Sequence, residues 1–155
     1  MRYLLLLSFI FILSACKQPP DAIDVAEDTA STQNNNIAPL PPASQTDITS
    51  IANLELKLLD DNGNCVLNDG NSSRFLRPMA PCYFVRVAGS LQVYQNKQVK
   101  IIAVVGTPVK KGRCGQQVQG LIIDNNTVRI SERIAEGSTV CADKGLDGYH
   151  FSLFE

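Results

Sequence analysis

The chain contains no tryptophan, a single histidine and no Cys-x-x-Cys pair. Ser-His-Asp and Cys-His catalysis each need an imidazole, so any such device would rest on His150 alone. His150 stands between Tyr149 and Phe151 in an aromatic alternation that reads as a last strand, and it is assigned a structural place there. Zinc and thioredoxin-like redox sites lack their ligand spacing. Charge is sparse too: 14 Lys and Arg against 15 Asp and Glu give a net of −1. That balance excludes a strongly basic nucleic-acid binder. No long 3.6-residue apolar stripe with caps appears, and the nearest approach is one helical turn over Ser131–Glu136 before Gly137. Asp60-Asp61-Asn62-Gly63-Asn64 superficially looks like a calcium loop, but Cys65 and Asn71 stand where Gly and Glu are required. Gly106 to Gly120 lacks phosphate-loop spacing. Asp60, Asp61, Asp143 and Asp147 lie among turn residues, where Asp bonds its own backbone. The sequence assigns no catalytic residue, metal or cofactor, and the chain is read as non-enzymatic.

What is present begins with an address. Arg2 precedes an apolar run from Tyr3 to Leu13, followed by the small residues Ser14 and Ala15. Such a run is too short to span a bilayer of about 30 Å and reads as an export signal. Leu13-Ser14-Ala15-Cys16 looks like the lipobox of bacterial lipoproteins. That resemblance implies removal of residues 1–15, lipidation of Cys16, and attachment to the membrane through acyl chains. Two or more chains give stable anchoring where one gives only marginal binding. Lys17 stands where an inner-membrane retention signal would carry Asp, so the resemblance implies outer-membrane delivery with the domain facing the periplasm. Residues 16–50 carry five prolines, an Asn34-Asn35-Asn36 run and no aromatic residue. They read as a disordered tether with an r.m.s. span on the order of 30 Å.

The remaining stretch, 51–155, has twelve Lys and Arg against ten Asp and Glu. It is long enough for one modest core. It holds Cys65, Cys82, Cys114 and Cys141, an even number that argues for two disulfides in an exported domain. Three connectivities are possible. Cys65–Cys82 with Cys114–Cys141 is favoured, because each pair encloses a turn-rich stretch of little apolar periodicity. Leu54, Leu56 and Leu58 alternate with charged residues and lead into Asn62-Gly63, a strong hairpin signal. Tyr83 to Val87, Leu91 to Tyr94, and the β-branched run Val99 to Val105 read as further strands. Val118–Ile123 and Thr127–Ile130 flank Asp124-Asn125-Asn126 as a hairpin, and Tyr149 to Phe154 forms the last strand. Short strands with frequent turns imply a small antiparallel β-sandwich or barrel stapled by two disulfides.

Lys110, Lys111 and Arg113 cluster beside Cys114 in Thr107–Arg113. A loop pinned by a disulfide is pre-organised, so less ordering entropy opposes docking. Its cations suit an acidic protein face, and these three residues are the candidate partner-binding site. The run from Val140 and Cys141 through Asp147-Gly148 to Tyr149-His150-Phe151 resembles the ends of type VI secretion immunity lipoproteins. The resemblance implies a periplasmic inhibitor that neutralises a secreted effector by binding it. The alternative is a non-inhibitory structural or assembly lipoprotein of the cell envelope.

Overall fold

The computed structural model describes residues 40–108 and 112–155. The signal segment, Cys16, most of the tether, Lys110 and Lys111 lie outside the described residues. Among the described residues, four strands form one antiparallel sheet in sequence order: β1 (Ser44–Ile51), β2 (Leu54–Asp61), β3 (Asn64–Asn68) and β4 (Ser73–Met79). The leucine alternation fixes the inward face of β2, since Leu56 and Leu58 are fully buried. Asn62 and Gly63 turn the chain at positive φ, 54° and 86°, as the hairpin signal anticipates.

The second sheet is built around β9 (Val99–Gly106). Along one edge β9 pairs with β10 (Cys114–Asp124), which pairs in turn with β11 (Thr127–Cys141). Its other edge is shared by two short strands, β5 (Cys82–Phe84) and β8 (Tyr94–Asn96). Between them, β6 (Arg86–Val87) and β7 (Ser90–Leu91) make a small hairpin of their own. Both faces of β9 are covered, which explains its unbroken β-branched run: Ile101 to Val105 are fully buried. Ile102 and Val104 meet Leu56, Leu58 and Leu67 between the sheets, while Ile101, Ala103 and Val105 face a second core against Phe151 and Phe154. The fold is therefore mainly β, with two antiparallel sheets packed face to face, two disulfides and no closed barrel.

Three expectations change. The folded region starts inside the expected tether, because β1 begins at Ser44 and not after residue 50. This edge strand buries only Thr49 and Ile51 well, so its apolar signal is weak. Side chains hold it instead: the Thr46 hydroxyl donates to the Cys82 carbonyl (2.8 Å), and Asp47 accepts from the Phe84 N–H (2.9 Å). The expected last strand is a helix, α1 (Gly148–Ser152), capped by Asp147, whose carboxylate accepts from the His150 N–H (3.0 Å). Phe151 and Phe154, three apart, turn inward while Tyr149 is 70% exposed. Tyr94 stacks on Phe151 at 5.3 Å, and Phe154 fills the space that a Cβ at Gly120 would need.

The helical turn expected at Ser131–Glu136 is part of β11. Ser131 does make the local backbone bond that a cap would, its hydroxyl accepting from the Arg133 N–H (3.1 Å). In the strand that bond supports a bulge opposite Gly120. Buried Gln119 completes it, donating to the Ser131 carbonyl (2.8 Å) and accepting from the Arg77 N–H of β4 (2.8 Å).

Candidate functional site

The candidate loop joins β9 to β10 at one end of the sandwich. Its entry is fixed by Thr107, 1% exposed, whose N–H and hydroxyl both donate to the Pro81 carbonyl at 2.8 Å. Its exit is fixed by Cys114, directly opposite Cys141 across the β10–β11 pair and bonded to it. The Arg113 carbonyl also accepts from the Ala142 N–H at 2.7 Å. The other disulfide joins Cys65 to Cys82. Both bonds follow the connectivity favoured from the spacing.

Arg113 is only partly the free cation expected from sequence. Its guanidinium lies 3.9 Å from the centre of the Tyr83 ring and 3.4 Å from Asp47, with the side chain 44% exposed. Stacking and pairing engage the guanidinium while the side chain stays partly in solvent. Asp47 is a hub that the sequence reading placed in the tether. Its Oδ1 accepts from the Ile48 N–H (2.8 Å) and from Arg86 (3.0 Å). Its Oδ2 accepts from the Phe84 N–H (2.9 Å) and from Arg113 (3.4 Å). A carboxylate offers about four acceptor sites, so this one is saturated and serves to tie β1, β5 and the loop exit together. The β-branched content of Thr46, Ile48, Thr49 and Ile51 was the available sign that this segment is strand.

Beside the loop lies an open cleft of about 530 Å³, lined by Met79, Pro108, Cys114, Gln116, Gln117 and Thr139 among others. Met79 is 55% exposed, and Phe75, on the same strand, is 67% exposed. Phe75 stands opposite Val66, and Val66 opposite Leu59, forming an apolar row across the outer face of the first sheet. A second open cavity of about 460 Å³ lies at the other core, between the Arg129–Arg133 segment and the C-terminal Phe154–Glu155.

The remaining carboxylate clusters accept from their own local backbone. His150 Nδ1 lies 2.6 Å from Asp147, the helix cap. The His150 N–H and ring, against a smaller opposing effect of desolvation, hold the Asp147 carboxyl below its ordinary pKa. Asp60 accepts from the Gly63 N–H (2.8 Å) and shapes the turn that looks like a calcium loop. At Asp69, burial pushes the pKa up but is outweighed by the N–H groups of Ser72 and Asn71, the Ser72 hydroxyl and Arg74, so the net shift is downward. Among the described residues no group of three or more His, Cys, Asp or Glu is placed to hold a metal ion.

Compared with protein-family models, with curated proteins and with solved structures, the chain matches none of them.

Proposed function

We propose that this protein is a lipid-anchored binding module of the bacterial envelope. In this reading it hangs from the outer membrane by acyl chains on Cys16 and faces the periplasm. It neutralises a secreted effector by docking, as an immunity protein or inhibitor does, without catalysis. The observation that carries the reading is the loop between Thr107 and Cys114, pinned at both ends beside a cleft whose rim bears exposed Met79. Held ends leave less chain to order on binding. Phe75 and Met79 supply apolar area, and Arg113, with Lys110 and Lys111 next to it in sequence, supplies charge that steers an acidic partner.

The test has two parts. Cys16→Ser should move the protein from the membrane to the soluble fraction, and unchanged membrane retention would remove the anchor from the account. Affinity capture from envelope extract should then compare the wild type with a Lys110→Glu/Lys111→Glu variant at low and high salt. The variant should associate more slowly, most visibly at low salt. Identical partners bound at identical rates would place the working surface elsewhere.

A further inference from the structure

We propose that Cys114–Cys141 is a thiol–disulfide exchange site, opened by a dithiol through Cys114, and that its reduction releases the loop end of the sandwich while Cys65–Cys82 keeps the fold. The two bonds differ in access. Cys65 and Cys82 are fully buried in the core between the sheets. Cys114 and Cys141 are partly exposed, and Cys114 lines the open cleft. On the loop side the chain carries glycine at 112, where a Cβ would come within 3.9 Å of the Cys114 sulfur. A thiolate must reach a sulfur to exchange with it, and of the two bonds this is the one whose cysteines are partly exposed.

The chemistry balances as follows. A thiolate of the dithiol attacks Cys114 Sγ, the S–S bond breaks, and Cys141 leaves as a thiolate that takes a proton from water. The second thiol of the dithiol then attacks the mixed disulfide. Cys114 departs as a thiol and the reagent is left as its own disulfide. Two electrons pass from the dithiol to the protein.

The structural consequence follows from the ladder. Between Gly115 and Gln117 the β10–β11 register slips, with Gly137 at a φ of 94° on the opposite strand. Beyond that slip only Gly115↔Val140 and Cys114↔Cys141 are paired. This short end is therefore set off from the main ladder, and the disulfide is its covalent tie. Without it the Gly115↔Val140 pair, the Ala142 N–H to Arg113 carbonyl bond and the contacts of Arg113 with Asp47 and Tyr83, all non-covalent, position the exit of the loop.

The experiment treats the folded, oxidised protein with dithiothreitol under native conditions, quenches with an alkylating reagent and maps the labelled cysteines against time. Cys114 and Cys141 should be labelled roughly a hundred-fold faster than Cys65 and Cys82, whose exposure requires global opening. Hydrogen exchange on the half-reduced protein should rise in 112–115 and 138–142 and stay unchanged across Ile101–Val105. A Cys114→Ser/Cys141→Ser variant should reproduce that pattern without any reductant. Labelling of all four cysteines together, or of Cys65 and Cys82 first, would overturn the proposal. So would half-reduced protein whose exchange at 112–115 matches that of the oxidised form.

Discussion

The two disulfides occupy opposite kinds of place. Cys65–Cys82 runs from β3 of the first sheet to β5 of the second, inside the core. Cys114–Cys141 joins neighbouring strands of one sheet at the partly exposed end of a hairpin. Loop length barely separates them: closures of 17 and 27 residues are worth about 3 and 3.5 kcal/mol in the chain-entropy model. What separates them is what each holds. The first fastens one sheet to the other. The second fastens a loop to the end of a ladder that is already paired without it.

Breaking that comparison starts with the core staple. Cys65→Ala/Cys82→Ala should lose the closure entropy and also open a cavity between the sheets, costing about 4–5 kcal/mol in urea unfolding. Cys114→Ser/Cys141→Ser should cost about 3.5 kcal/mol, its closure entropy alone, because serine at partly exposed positions leaves no comparable void. Equal losses would mean that chain entropy alone sets both values.

The Asp47 hub comes next. Asp47→Ala removes the acceptor for the buried Phe84 N–H and unpairs Arg86, a loss of about 2–3 kcal/mol. Arg113→Glu sets a second carboxylate against Asp47 and removes the cation from Tyr83, for about 1 kcal/mol after solvent screening. Thermal melts of both variants check the order. An Arg113→Glu melt identical to wild type would restore the picture of a wholly free loop cation.

How much of this was legible follows from where each signal lives. β2, β9 and the β10–β11 hairpin announce themselves because alternation, a β-branched run and Asn-rich turns are local patterns. β1 does not, because its stability comes from Thr46 and Asp47 reaching the backbone of β5, a partner distant in sequence. At the C-terminus, Tyr149, Phe151 and Leu153 alternate like a strand. The cap at Asp147 and the pocket over Gly120 for Phe154 select a helix. The disulfide pairing was favoured from spacing, but nothing in spacing told which bond lies in the core. The cations of the loop were visible at once, whereas the pairing of Arg113 needed the fold.

Glycine 120 tests the second core, on the far side of β9 from the buried disulfide. Gly120→Ala should displace the Phe154 ring and cost about 1–3 kcal/mol. A neutral result would show that the C-terminal segment packs loosely.

The smallest expected effect is acid sensitivity. Asp69 and Asp147 both sit below their unfolded-state pKa. Their contribution is therefore fully present above about pH 4 and is lost as pH falls through the lower folded values. Asp69→Asn and Asp147→Asn should each flatten that acid limb of the stability profile and leave its neutral shape unchanged. An unaltered acid limb would show that other carboxylates set it.

Native-state hydrogen exchange of the oxidised wild-type protein, followed at increasing sub-denaturing urea, tests the division between core and loop end most directly. Amides of Ile101–Val105 should exchange only through global unfolding, with a steep urea dependence. Amides of Arg113, Cys114 and Ala142 should exchange through a local opening at least about 2 kcal/mol lower in free energy and nearly independent of urea. One common free energy and one common slope for both sets would contradict it, and would make the loop end part of the same cooperative unit as the core.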